Sequence, residues 1–256
     1  MRIFDTHAHY DDDRFEGIRE ECIKESFDIG VEYILNASSD IKSSRASIAL
    51  ADKYPQFYAA CGIHPHECCD ISDKNEALDT VKSLLSHKKA VALGEIGLDY
   101  YYDTDWKEKQ IDYFDSQLSL AEELNLPVII HDRDAHGDTM DIIRAHPKSF
   151  GILHSFSGSA EMAKQLQKLG WYISFSGVVS FKNASRVIES LLAVDDERLL
   201  IETDCPYLAP VPMRGKTNRS TYLKYTIAAI ANAKGVSEEE IAEMTFDNAK
   251  RIFKIN

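Results

Sequence analysis

A (β/α)8 TIM barrel, in a single domain, is the fold class this sequence predicts, and three observations predict it. Short apolar runs rich in β-branched residues alternate with longer amphipathic segments along the 256 residues. The alternation repeats eight times, the count of that barrel. Several of the short runs are apolar on both faces, as parallel strands covered on each side must be.

Taken in order, Ile3–His7 reads as the first strand and Arg14–Ile29 as the helix after it, stopped by Gly30. Glu32–Asn36 is followed by the helix Lys42–Lys53, and Tyr58–Gly62 by Asn75–Ser86. Ala90–Ile96 leads into the long amphipathic stretch Trp106–Leu124, which Asn125 and Pro127 end. Pro127–His131 precedes Gly137–Ala145, Gly151–His154 precedes Ala160–Lys168 with its stop at Gly170, and Trp171–Ser174 precedes Ala184–Ala193. Leu199–Glu202 is the eighth strand. Thr221–Lys234 and Glu238–Phe253 close the chain, and Ser237 with Glu240 fits a capping box. No Gly/Ser- or Pro-rich linker divides the sequence, so one domain over residues 1–256 is expected. Its one long polar loop is Pro206–Ser220.

Composition narrows the function classes. A net charge of −13 argues against a protein that coats duplexes through many phosphate contacts, though not against an enzyme that grips one or two phosphates. No apolar run approaches the roughly 20 residues that span a bilayer, and the first residues carry no apolar signal region. No membrane association and a cytoplasmic location are therefore expected. Cys22, Cys61, Cys68, Cys69 and Cys205 match no zinc-finger or redox spacing and read as reduced thiols. With no Gly-x-Gly-x-x-Gly after a strand, no P-loop, no His-Glu-x-x-His and no nucleophile elbow, nucleotide-cofactor chemistry and serine hydrolysis are not expected.

Chemistry collects where strands end, which in such barrels is where active sites form. His7 and His9 follow the first strand and His64 the third, Glu95 ends the fourth, His131 the fifth and His154 the sixth, and Asp204 follows the eighth. Five of the nine histidines thus fall at strand exits. In Asp5-Thr6-His7-Ala8-His9, residues two apart on an extended chain point to one side, so both imidazoles reach one cation. A strand end with two polar residues is the plainer reading of the same pattern. Glu95, between Gly94 and Ile96-Gly97 after an apolar run, has room to bridge two cations, and a buried carboxylate needs a partner. Asp204 is placed to bind a metal and to take a proton from attacking water, with Glu202 two residues earlier as a supporting group. His131 and His154, each taken alone, read equally as satisfied core histidines. Arg133 suits a substrate phosphate through bidentate hydrogen bonds, or an ion pair with Asp132, Asp134 or Glu95. His64 is assigned to substrate phosphate or to support of the ligands, and His66 to either the site or an inert surface.

These blocks together resemble the TatD family of metal-dependent deoxyribonucleases, within the amidohydrolase-like superfamily. The matching segments are Phe4–His9, Gly62–His66, Gly94–Tyr100, His131–Ala135, Ser155–Gly158, Glu202–Leu208 and Pro212–Lys216, so the resemblance runs from the first strand to the last loop. It implies a metal-dependent nuclease, often a 3′→5′ exonuclease on single-stranded DNA or RNA. It also implies His7, His9, Glu95, His131, His154 and Asp204 as ligands of two divalent ions (Mg, Mn or Zn), with Glu95 bridging. Ser155 after His154 and Asn218-Arg219-Ser220 after the basic loop depart from the family pattern, and the second departure bears on substrate preference. Where many amidohydrolase relatives carry a carboxylated lysine after strand four, this chain has Glu95, which favours a phosphodiesterase. On this reading Asp204 and Glu95 are catalytic. His64, Arg133 and Lys216 bind substrate, Lys216 and Arg214 by holding the backbone, and Tyr100, Tyr101, Tyr102 and Tyr207 either stack on bases or pack the barrel top. The rival reading is an amidohydrolase-like enzyme acting on small amides, lactones or phosphoesters.

Overall fold

The computed structural model describes residues 1–102 and 105–255. Strands and helices alternate as β1 (Ile3–Ala8), α1 (Arg19–Asp28), β2 (Val31–Asn36), α2 (Ile41–Lys53), β3 (Phe57–Cys61), α3 (Lys74–Leu85), β4 (Ala90–Asp99), α4 (Lys107–Leu124), β5 (Val128–Arg133), α5 (His136–Ala145), β6 (Gly151–Leu153), α6 (Ala160–Lys168), β7 (Tyr172–Phe175), α7 (Ser185–Leu192), β8 (Leu199–Ile201), α8 (Leu223–Lys234) and α9 (Glu238–Phe253). The sheet order follows the chain from β1 to β8, so the fold class is the predicted (β/α)8 barrel. Among the described residues no helix is long and apolar enough to cross a membrane.

Two boundaries differ from the sequence reading for physical reasons. The helix expected over 14–29 is broken at Gly17, whose φ of +76° is left-handed; a short turn at Asp13–Phe15 comes first, and α1 begins only at Arg19. The fourth strand runs on to Asp99 rather than stopping at Ile96. Gly97, at φ +134°, lets the extended chain continue through a region closed to other residues.

The chain divides into two compact units, Met1–Asn36 with His154–Asn256, and Ala37–Leu153. In the first, β7 pairs in parallel with β8, Ala8 of β1 bridges Cys205 just after β8, and β1 pairs with β2. Helix α9 covers this sheet: Phe253 and Phe246 lie 5.7 and 6.4 Å from the Phe4 ring, and Tyr33 stacks on Phe246 at 5.8 Å. The expected capping box at Ser237 and Glu240 starts that helix.

In the second unit β3, β4, β5 and β6 pair in parallel, with Gly97 beside His131 and Asp99 beside Arg133. Two glutamines seven residues apart on α4, hence on one helical face, pin the loops that carry the chemistry. Gln117 accepts from the Ile63 N–H at 2.8 Å and donates to the Ile63 carbonyl at 3.0 Å, next to His64. Gln110 does the same for Asp99, at 2.9 and 3.1 Å. Both amides are buried and both form paired, strand-like contacts with loop backbone that would otherwise lack partners.

Gly97 gives this arrangement a sharp test. A Cβ there would lie 2.0 Å from the His131 carbonyl oxygen, on a backbone already at positive φ. Gly97→Ala is expected to cost ~2 kcal/mol or more, seen as a lower urea midpoint; an unchanged midpoint would refute the close packing of β4 on β5.

Candidate active site

In the first unit the sequence-predicted ligands converge. His7 is fully buried and His9 slightly exposed; their Nε2 atoms are 3.1 Å apart, with the rings edge to face. Asp204 donates its N–H to the His7 carbonyl at 2.9 Å, which turns its carboxylate toward the pair: Oδ1 is 3.3 Å from His9 Nε2 and 3.8 Å from His7 Nε2. The His154 ring stacks on His7 at 4.0 Å. Glu202, fully buried, accepts from the Ser155 N–H at 2.7 Å and lies 3.3 Å from His154 Nδ1 through the same oxygen. Its other oxygen, Oε2, has no protein hydrogen-bond partner. A buried carboxylate oxygen in that state is costly unless a cation or water meets it. His7, His154 and Glu202 each offer a ligand atom within 4.8 Å of the others. Donor chemistry and the orphaned oxygen both fit a divalent cation, and they set Glu202 within reach of the same position as His7 and His154.

Burial pushes the Asp204 carboxyl up, but the hydrogen bond from His9 and the nearby His7 and His154 outweigh it and hold Asp204 below the usual range. It therefore stays ionised, as a cation ligand or proton acceptor must. Behind the ligands lies Asp5, wholly buried, which accepts from the Thr203 N–H at 2.9 Å, the Thr203 hydroxyl at 2.6 Å and the Ser220 hydroxyl at 2.7 Å. These bonds tie both ends of the long loop after β8 to β1. Burial raises the Asp5 carboxyl to about 6 against the opposing pull of Ser220 and Thr203.

In the second unit one imidazole joins two buried carboxylates. His131 Nδ1 is 2.9 Å from Glu95 Oε1, and Nε2 is 3.0 Å from Asp99 Oδ2. His64, Glu95 and His131 offer ligand atoms within 4.8 Å of one another. Burial lowers His64 to about 3, so its imidazole is neutral. Its Nδ1 accepts from the His66 N–H at 3.2 Å, which leaves the ring proton on Nε2, 3.9 Å from Glu95. His64 is thus a neutral imidazole, able to donate an N–H to a phosphate oxygen or to offer a ring nitrogen to a cation. His66 is not inert: its Nε2 is 3.2 Å from Asp99 Oδ2. Asp99 is almost fully buried; burial raises its carboxyl, but hydrogen bonds from His131, His66 and the Tyr101 N–H carry it far below the usual range.

Asp99 is the site residue the sequence reading passed over. It lies four residues beyond Glu95, and that even spacing puts both on one face of a strand. Gly97 read as a turn and hid the continuation. Arg133, the last residue of β5, makes none of the three ion pairs foreseen for it, with Asp132, Asp134 or Glu95; its guanidinium lies 3.8 Å over the Tyr101 ring and 4.9 Å over that of Tyr102. In the loop after β8, Lys216 is exposed and Arg214 lies over Phe181 at 3.9 Å. Tyr207 is engaged, donating to Asp12 at 2.9 Å, and Tyr100 donates to Asp138 at 2.8 Å. Three histidines outside the clusters serve local ion pairs, His87 with Asp52, His136 with Asp132 and His146 with Asp115.

Imidazole and carboxylate clusters at the C-terminal ends of the strands of a (β/α)8 barrel are the arrangement of a metal-dependent hydrolase. The chain belongs to the TatD-related DNase family, whose model matches residues 4–254. It is 42% identical over 256 residues to the uncharacterized metal-dependent hydrolase YabD of Bacillus subtilis (strain 168), covering 99% of this chain and 100% of the relative. It is 36% identical over 261 residues to the uncharacterized metal-dependent hydrolase YcfH of Escherichia coli (strain K12), covering 100% and 97%. Among solved structures it resembles YJJV, a TatD homologue from Escherichia coli K12, with a TM-score of 0.92 and 30% identity over 100% of this chain and 99% of that one.

Asp5 yields a pH prediction. Its folded-state value is raised, so the native state holds the proton more tightly, and the stability this brings is full below pH ~4 and lost as pH rises through about 6. In chelator-containing buffer, the stability advantage of wild type over Asp5→Asn is expected to fall by roughly 2–3 kcal/mol between pH 4 and 6.5. A difference that stays flat across urea melts in that window would contradict it.

Proposed function

We propose that this hydrolase cleaves phosphodiester bonds of nucleic acid, acting as a 3′→5′ exonuclease on single-stranded DNA, with RNA as the related substrate. The observation that carries the reading is the pair of donor clusters, one in each unit, each with ligand atoms within 4.8 Å. In the first we assign His7, His9, His154 and Asp204 as ligands, joined by Glu202; in the second, Glu95 and His131. The two sets suit two divalent cations, Mg²⁺, Mn²⁺ or Zn²⁺. Bound there, such ions lower the pKa of water and polarise a phosphoryl oxygen.

The residues of the chain divide the remaining work. Asp204, held ionised by its three histidines, accepts the proton of the attacking water. Glu95 is the catalytic carboxylate of the second cluster, and Asp99 fixes the tilt of His131 by holding its Nε2, leaving Nδ1 toward Glu95. His64 directs its Nε2–H at a phosphate oxygen, where a neutral donor stabilises developing charge without the cost of burying a cation. Arg133 and the exposed Lys216 supply positive charge to the backbone of the strand. The family's DNase description supports this substrate class over small amides, lactones or phosphoesters.

Asp204→Asn keeps the size of the side chain and removes its basicity. Degradation of a 3′-labelled single-stranded oligonucleotide with Mg²⁺ or Mn²⁺ is expected to slow by about 10²–10⁴-fold. An unimpaired variant would sink the assignment. A wild type that turns over a panel of lactones and amides but leaves the oligonucleotide intact would replace the reading with the amidohydrolase one.

A further inference from the structure

We propose that the cavity lined by His66, Cys69, Tyr102, Trp106 and Gln110 is a nucleobase pocket, which seats one unpaired base of the substrate beside the Glu95–His131 cluster. The inference rests on the phosphodiesterase reading above and adds to it the feature that selects single strands.

The cavity holds about 520 Å³, within the roughly 300–1,000 Å³ usual for small-ligand sites. Its walls are unusual for a surface exposed to water: Tyr102 is 67% and Trp106 45% exposed. Large aromatic side chains left open gain from a flat apolar partner. The rings stand in edge-to-face relation, His66 to Tyr102 at 5.4 Å and Tyr101 to Tyr102 at 4.8 Å, and the exposed parts of Tyr102 and Trp106 are the surface offered for stacking.

Two further observations point to a nucleotide rather than to an arbitrary apolar ligand. The first is the cation beside the rings. Arg133 lies over Tyr101 at 3.8 Å and over Tyr102 at 4.9 Å, so a base stacked on the aromatic surface has its phosphate within reach of a guanidinium already in place. The second is the floor. Gln110 holds the Asp99 backbone through two hydrogen bonds, and His66 meets the Asp99 carboxylate at 3.2 Å. Asp99 in turn holds His131. Pocket and catalytic cluster thus share one buried carboxylate, and a base in the pocket carries its own phosphodiester to the cluster. A paired base, locked in its stack, is not available to this surface, whereas an unpaired one is.

The test uses the full chain and two readouts. Tyr102 is exposed enough that its replacement leaves the fold alone. Tyr102→Ala is expected to raise KM for a short oligothymidylate roughly tenfold with kcat little changed, and Tyr102→Phe to keep the wild-type KM. An oligonucleotide with a single abasic position is expected to reproduce the loss on wild type at one register only, and to be indifferent to the variant. The second readout needs no cleavage. Trp171 is buried, so quenching of tryptophan emission by oligothymidylate in chelator reports Trp106, and an abasic oligomer is expected not to quench. Cleavage with equal KM for Tyr102→Ala, or equal use of abasic and normal strands, overturns the pocket and leaves the nuclease reading standing. If wild type cleaves no phosphodiester, that reading falls and the quench decides: quenching by the base-bearing strand alone supports the pocket, and none overturns it.

Discussion

A buried carboxylate must be met by donors, and in this chain that requirement organises both functional clusters. Asp99 takes its donors from His131, His66 and the Tyr101 backbone. Asp5 takes them from Thr203 and Ser220, and Glu202 from Ser155. Each carboxylate spends its acceptor capacity on holding a neighbour in place, so the imidazoles are fixed before any ligand arrives. Glu202 stops short of this: one oxygen is satisfied and the other is not. A buried carboxylate oxygen left without a protein partner is a place where a cation or a water fits.

Backbone geometry makes these pairings possible. Register between β4 and β5 sets Gly97 beside His131, and with no side chain at 97 the two strands approach until carboxylates at 95 and 99 flank one ring. The paired contacts of Gln110 and Gln117 then stop the two loops from drifting. In the first unit the same part is played by the Asp204 N–H on the His7 carbonyl, which fixes where the loop after β8 begins. Precision in the site is thus inherited from hydrogen bonds made by backbone, not from the reacting side chains themselves.

The fold was legible because its signal is periodic and repeated. Eight apolar runs survive local irregularity, and an error at one boundary, such as the break at Gly17, does not disturb the count. The clustered histidines were legible for a related reason, since scarce residues recurring at strand exits are visible without coordinates. What stayed hidden depends on approach between strands. Gly97 signals a turn by itself and becomes a strand residue only when the neighbouring chain is close enough to exploit it, so Asp99 could not be placed. Arg133 offered several acidic partners in sequence, yet its guanidinium lies over two tyrosine rings, a cation–π contact that sequence spacing does not report. The unmet oxygen of Glu202 also stayed hidden, because alternation along a strand reports direction, not depth.

The acidic balance of the chain bears on how it would hold a polyanion. With a net charge of −13, long-range attraction works against nucleic acid, and coverage of many phosphates is not open to it. Affinity must then come from short-range terms that salt and net charge hardly touch. Cations held by histidine and carboxylate act at contact distance, and stacking on exposed rings depends on the base rather than the phosphate. Both terms reward a strand whose bases are free and whose terminus is accessible. A duplex, which presents mainly its charged backbone, meets only the repulsive part. On the proposed reading, the acidity that argues against a duplex-coating protein acts in the same direction, as a source of selectivity for single strands.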